Sequence, residues 1–77
     1  MAEKLPSWEE RAKRFLKAEL KRADVSYQEL AKRLKKHGLT ETEASVANKL
    51  SRGTFAATFF PAALVALEVE RVSLEDI

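Results

Sequence analysis

The chain has 77 residues, of which 45% are apolar and 34% charged, and its formal net charge is +2. It contains no cysteine, one histidine and two glycines, which excludes a thiol nucleophile and a glycine-rich phosphate loop and leaves no histidine cluster for a metal. We therefore expect one small domain over residues 1–77 that is not an enzyme and binds no cofactor and no metal.

Three helix starts are predicted by a hydroxyl residue followed three positions later by glutamate. The pairs are Ser7 with Glu10, Ser26 with Glu29, and Thr40 with Glu43. In such a capping box the hydroxyl accepts a bond from a free backbone N–H, and the glutamate reaches back to the cap. The pattern predicts helices over about 8–23, 27–37 and 41–52, with Gly38 and Gly53 ending the second and third.

Each of these helices has an apolar stripe at spacings of three or four residues, which predicts the buried side. The first stripe comprises Trp8, Ala12, Phe15, Leu16, Leu20 and Ala23, the second Tyr27, Leu30, Ala31 and Leu34, and the third Val46, Ala47 and Leu50. On the third helix, Glu41, Ser45, Asn48 and Arg52 fall opposite its stripe. The first three helices are therefore predicted to be amphipathic.

A fourth helix is predicted over about 55–68, with Thr54 as its cap and apolar residues on almost every side. Pro61 predicts a kink or a restart within it. The apolar stretch 55–67 is shorter than the roughly 20 residues of a membrane span, and the first residues lack the apolar core of a signal peptide. We expect a soluble, cytoplasmic protein without membrane contact.

The fold class that follows is all-α, a compact bundle of four to five helices with a central helix-turn-helix. A further short turn is expected over 73–76, and residues 1–6 and 70–77 are expected to be partly ordered ends. The charge is uneven, because residues 1–10 carry a net −2, residues 11–52 a net +7 and residues 53–77 a net −3. A basic middle is typical of a phosphate binder, but a solvated helical surface gives the same pattern.

The runs Ser26-Tyr27-Gln28-Glu29-Leu30-Ala31 and Val46-Ala47-x-x-Leu50-x-Arg52-Gly53 resemble those of phage repressor and Cro-type domains. The stretch 48–55 resembles, more closely, a group of small uncharacterised bacterial proteins that form a domain of unknown function. The resemblance implies a helix-turn-helix fold and a regulator that inserts the helix 41–52 in the major groove of double-stranded DNA. The alternative is a protein interaction module of the same shape that does not bind DNA.

The residues expected to contact DNA are polar side chains of the second and third helices. Asn pairs with adenine and Arg with guanine, whereas Lys and Ser hold phosphates or read bases loosely. The candidates are Gln28, Lys32, Lys35, Lys36, Ser45, Asn48, Lys49 and Arg52. Glu41 and Glu43, at the start of the third helix, would repel phosphate unless they serve the cap and the helix dipole.

Two further expectations concern packing. The excess apolar surface of the fourth helix predicts a homodimer whose interface includes Phe59, Phe60, Leu64 and Leu67. Glu19 lies within the apolar stripe of the first helix, so it needs a cationic partner, and Arg52 or, failing that, Lys49 is the expected one. An ion pair of Glu19 with Arg52 would make this arginine structural and would compete with its role in reading DNA.

Overall fold

The computed structural model of the protein describes residues 5–77, and within this range the chain forms four α-helices, one 3-10 helix and no strand. The helices are α1 (Trp8–Ala23), α2 (Tyr27–Lys36), α3 (Glu43–Arg52) and α4 (Phe59–Ala66), followed by the 3-10 helix Leu74–Asp76. The all-α prediction and the short turn near the C-terminal end are confirmed. Of the predicted partly ordered ends, residues 1–4 lie outside the described residues.

The first two helices begin where their capping residues predict. The Ser7 hydroxyl accepts a hydrogen bond from the Glu10 N–H at 3.1 Å, and the Ser26 hydroxyl accepts one from the Glu29 N–H at 3.1 Å. α1 has the predicted bounds, and α2 ends one residue before the predicted residue 37. Gly38 follows with φ +86°, a left-handed conformation that glycine adopts without a steric penalty.

The predicted start of α3 is wrong by two residues. The N-cap is Thr42 and not Thr40, and its hydroxyl accepts the Ser45 N–H at 3.1 Å while the Ser45 hydroxyl accepts the Thr42 N–H at 2.8 Å. Serine thus takes the reciprocal role that the sequence rule assigns to glutamate or glutamine. The later start leaves Glu41 in the preceding loop.

The predicted start of α4 is also wrong, because this helix begins at Phe59 and ends at Ala66 rather than covering 55–68. Thr54 is therefore not its cap, and Pro61 lies in its first turn, where a missing N–H removes no intrahelical bond. The residues between α3 and α4 form turns, closed by a bond from the Phe59 N–H to the Ala56 carbonyl at 2.9 Å. Within residues 5–77, no helix has the length and apolar character that crossing a membrane requires.

The core lies where α2 packs against α3 and α4, with α1 packed on α3. Its fully buried large side chains are Leu16, Leu30, Leu34, Val46, Leu50 and Phe59. Trp8 was predicted to join them but is 66% exposed. α1 has 16 residues whereas the other helices have 8 to 10, so its first turn extends beyond the buried layer.

Gly53 fixes the C-terminal end of α3 against α1. It is buried, its φ is +72°, and a Cβ atom at this position would overlap the carbonyl oxygen of Glu9 and lie 2.8 Å from its carbonyl carbon. Any side chain there would therefore force the two backbones apart. Gly38 has a similar φ but open space around it, so only Gly53 is required for packing as well as for backbone conformation.

Candidate nucleic-acid interface

The side of α3 opposite the core carries Asn48 and Arg52. Val46 and Leu50 are buried, and a helix turns 100° per residue, which places residues 48 and 52 on the opposite side. Both side chains are exposed. Within residues 5–77 neither forms a side-chain hydrogen bond or an ion pair with the protein. We call these two residues the exposed ridge of α3.

Ala44 and Ser51 lie beside the exposed ridge, and both are exposed. They were not among the predicted contact residues, although their spacings of four before and three after Asn48 place them on the same side of the helix. Because both side chains are small, they leave the longer Asn48 and Arg52 side chains protruding from this surface. The spacing of these residues in the sequence was enough to place them on this side of the helix, since helical periodicity requires no knowledge of the tertiary structure.

Ser45 and Lys49 lie next to the exposed ridge on α3, and both side chains are bonded within the protein. The Ser45 hydroxyl donates to Glu41 Oε1 at 2.6 Å, and Lys49 Nζ donates to the same oxygen at 3.1 Å. The Glu41 side chain is only 11% exposed. Lys49 Nζ also lies 5.7 Å from the centre of the Phe59 ring. These two predicted contact residues therefore serve the internal structure, and we call Glu41, Ser45 and Lys49 the Glu41 network.

The Glu41 network alters the charge at the start of α3. Glu41 is paired with Lys49, so one of the two carboxylates expected to repel phosphate is offset by a cation. Glu43 is exposed at the first position of α3, where negative charge interacts favourably with the helix dipole. The local charge near the exposed ridge is therefore less acidic than the sequence indicates.

The predicted contact residues of α2 are all exposed, namely Gln28, Lys32, Lys35 and Lys36. Gln28, Lys32 and Lys35 recur at spacings of four and three, so they form one stripe along α2. Arg33 is directed elsewhere, because its Nε donates to Glu29 at 3.0 Å and its Nη1 donates to the Ala66 carbonyl at 3.0 Å. This arginine holds α2 against the end of α4.

Half of the basic side chains between residues 11 and 52 remain available to solvent. Within the part of the chain that the structure describes, six of these twelve make neither an ion pair nor a bond to a main-chain oxygen. They are Lys17, Lys21, Lys32, Lys35, Lys36 and Arg52, and all six are exposed. Half of the basic charge in the middle of the chain therefore faces solvent without an internal partner.

The predicted ion pair of Glu19 with Arg52 or Lys49 is wrong. Arg22 Nε donates to Glu19 Oε1 at 2.7 Å from one turn further along α1, and Lys49 is bound to Glu41. The Glu19 side chain is 20% exposed, so water and a neighbour on the same helix suffice for it. Arg52 is thereby left on the exposed ridge.

Two of the four residues predicted to form a dimer interface are not available for one. Phe59 is 1% and Leu67 2% exposed, because both pack into the core of the single chain. Phe60 and Leu64 are half-buried. The apolar residues of α4 therefore pack mainly inside the domain, since this short helix contributes Phe59, Ala63 and Ala66 to the core.

Metal chemistry has no visible site in the described range, since no group of three or more His, Asp or Glu side chains comes together there. The candidate site is a polar surface of α3, and the adjacent helix α2 carries exposed lysines. A family model described as a domain of unknown function, DUF6471, matches residues 8–72. No curated protein and no solved structure shows significant similarity to the chain. The family match covers most of the sequence and confirms the resemblance of its 48–55 stretch to a domain of unknown function, so this protein belongs to the DUF6471 family.

Proposed function

We propose that this protein binds double-stranded DNA in a sequence-dependent way, with α3 inserted in the major groove. The observation that carries the proposal is the exposed ridge, where Asn48 and Arg52 protrude from α3 without an internal partner among the described residues. An exposed asparagine within a helix lowers helix propensity. If Asn48 and Arg52 both read base edges, this role explains why an asparagine stands beside an arginine on the exposed side of α3.

The chemistry of the ridge suits the major groove. An asparagine side chain can bond both the N6 and N7 positions of adenine, and an arginine can bond the O6 and N7 positions of guanine. Each such pair discriminates against a wrong base by about 1–3 kcal/mol. The small side chains of Ala44 and Ser51 allow the helix surface beside the two readers to approach the bases closely.

The lysines of α2 supply the phosphate contacts in this proposal. Lys32, Lys35 and Lys36 are exposed, and α2 packs directly against α3, so a duplex that contacts α3 has its backbone within reach of α2. Gln28, near the start of α2, would position a phosphate in the same way. Contacts of this kind fix the orientation of the protein but carry no sequence information.

The proposed role is that of a small transcriptional regulator, which acts in the cytoplasm because its ligand is chromosomal DNA. A homodimer fits this role, since two copies of α3 would read two half-sites about 34–36 Å apart. Phe60 and Leu64 remain the residues proposed for the two-fold contact. Sedimentation at micromolar concentration tests this part, because a mass of 8.7 kDa that does not change with concentration would exclude the dimer.

Fluorescence anisotropy with a mixed genomic duplex at two salt concentrations tests the proposal as a whole. A protein that neutralises phosphates releases counterions, so its affinity must fall steeply as salt rises. Selection of bound sequences from a random pool then gives the preferred site. Absence of binding at low salt, or binding that salt does not change, would contradict the proposal and leave a protein interaction module.

A further inference from the structure

The first turn of α1 carries an exposed tryptophan that the protein holds in one position. Trp8 is the only tryptophan of the chain and is 66% exposed. The Arg11 guanidinium lies 3.9 Å from the centre of its ring. Arg11 is itself fixed, because its Nε and Nη2 donate to the main-chain oxygen of Ile77 at 2.9 and 2.7 Å. Trp8 is therefore a preorganised aromatic group that contributes little to the core.

Trp8 forms one wall of an open groove between the start of α1 and the segment after α3. The groove has a volume of about 520 Å³ and is lined by Trp8, Glu9, Ala12, Gly53, Thr54 and Phe55. Most of this lining is apolar, and the close approach of Gly53 to α1 sets the floor of the groove. Its size is that of a site for one or two large side chains.

Exposed apolar and acidic side chains lie close to Trp8 along the chain or in the C-terminal turn that Arg11 holds. Leu5 is 78% and Leu74 80% exposed, and the bond from Arg11 to Ile77 brings the C-terminal turn next to Trp8. Exposed carboxylates accompany them at Glu9, Glu75 and Asp76. Among the described residues none of these three forms an ion pair. Arg11 is occupied by the Trp8 ring and the Ile77 oxygen.

We infer that the Trp8 groove is a docking site for a basic amphipathic segment of a partner protein. An apolar side chain of the segment enters the groove against Trp8 and Phe55, and its Lys or Arg residues lie against Glu9, Glu75 and Asp76. In protein interfaces, a few aromatic side chains that pack closely against the partner contribute most of the binding energy. The charge argues against a two-fold contact between copies through this groove, because such a contact would bring the two sets of carboxylates together.

Trp8 itself reports on occupancy of the groove, since no other tryptophan contributes to the emission. The probe is a synthetic 14-residue helical peptide of Leu and Lys, free of aromatic residues, and the control peptide has Glu in place of every Lys. We expect a saturable blue shift of Trp8 emission with the Leu–Lys peptide and binding at least about tenfold weaker for the Leu–Glu peptide. The double variant Glu9→Lys with Glu75→Lys should reverse this preference.

Labelled peptide and the variants Trp8→Ala and Val65→Ala complete the test. Both residues are exposed, so neither substitution empties the core, but only Trp8 lines the groove. Trp8→Ala should abolish binding of the Leu–Lys peptide, and Val65→Ala should leave it unchanged. Equal binding of the two peptides, or full binding by Trp8→Ala, would overturn the inference. Self-association that disappears in Trp8→Ala would also overturn it, because the occupant would then be a second copy.

Discussion

Neighbouring polar side chains on α3 are used in two different ways. Ser45 and Lys49 bond to Glu41, whereas Asn48 and Arg52 face solvent without an internal partner among residues 5–77. The difference comes from the loop before α3, which places the Glu41 carboxylate beside the first pair only. A polar residue on an exposed helix face is thus available for binding only if no neighbouring loop supplies a partner for it.

We expect the largest loss of stability when the contact between the C-terminal end of α3 and α1 is disrupted. Gly53→Ala combines a strained backbone, which costs about 1–2 kcal/mol, with overlap against the Glu9 backbone, which adds roughly 1–3 kcal/mol. Gly38→Ala, at the start of the α2–α3 connection, should show only the backbone part because its surroundings are open. Urea unfolding of both variants measures the difference.

Equal losses in Gly53→Ala and Gly38→Ala would mean that α1 and the end of α3 separate without penalty. The exposed ridge would then not be held in a fixed orientation relative to α1. A larger loss at Gly53 supports a rigid presentation of the exposed ridge.

Removal of one charge in the Glu41 network should have an intermediate effect. Glu41→Gln keeps an acceptor for the Ser45 hydroxyl but replaces a charged bond to Lys49 by a neutral one, and we expect a loss of about 1 kcal/mol in unfolding free energy. The loss should shrink as salt rises, because partly exposed ion pairs are screened. Glu70→Gln is the control, since Glu70 is exposed, lies outside the helices and has no partner within the described residues.

The Glu41→Gln variant also sharpens the comparison of the Glu41 network with the exposed ridge. It frees Lys49, so affinity for DNA of any sequence should increase while the preference for the selected site stays the same. Titration with a selected duplex and a scrambled one distinguishes these effects. A change in preference would show that the Glu41 network takes part in reading bases.

The smallest expected effect is a gain in stability after α4. Glu68 follows this helix with φ +61°, where a residue with a Cβ is strained. Glu68→Gly should stabilise the fold by roughly 0.5–1 kcal/mol, because relief of that strain exceeds the added entropy of glycine in the unfolded chain. Thermal unfolding measures the gain. Unchanged or reduced stability would show that bonds in this turn, and not the backbone conformation, dominate there.

Local signals predicted the helices well where one residue could act as the cap. Ser7 and Ser26 each stand alone before a helix, and both starts are correct. Before α3, Thr40 and Thr42 compete, and Thr42 prevails because Ser45 completes its reciprocal pair. The start of α4 was misplaced because Pro61 was interpreted as a break inside a longer helix, whereas it lies in the first turn of a shorter one.

The candidate site was predicted in the same uneven way. Helical period alone placed Asn48 and Arg52 opposite the core, since it needs only the positions of Val46 and Leu50. The engagement of Ser45 and Lys49 could not be predicted, because it depends on where the loop places Glu41. Trp8 was wrongly predicted to be buried. The spacing of apolar residues shows which side of a helix is apolar, but it does not show how far the core extends along the helix.

The central claim is that Asn48 reads a base from the exposed ridge, and the variant Asn48→Ala tests it without changing the charge. Anisotropy titrations compare this variant with the unaltered protein and with Lys35→Ala on the selected duplex and on a scrambled duplex of equal composition. We predict that Asn48→Ala loses about 1–3 kcal/mol on the selected duplex alone, whereas Lys35→Ala weakens both duplexes equally and lowers the salt slope by about one. If Asn48→Ala instead bound both duplexes as the unaltered protein does, or weakened both to the same extent, base reading by α3 would be contradicted.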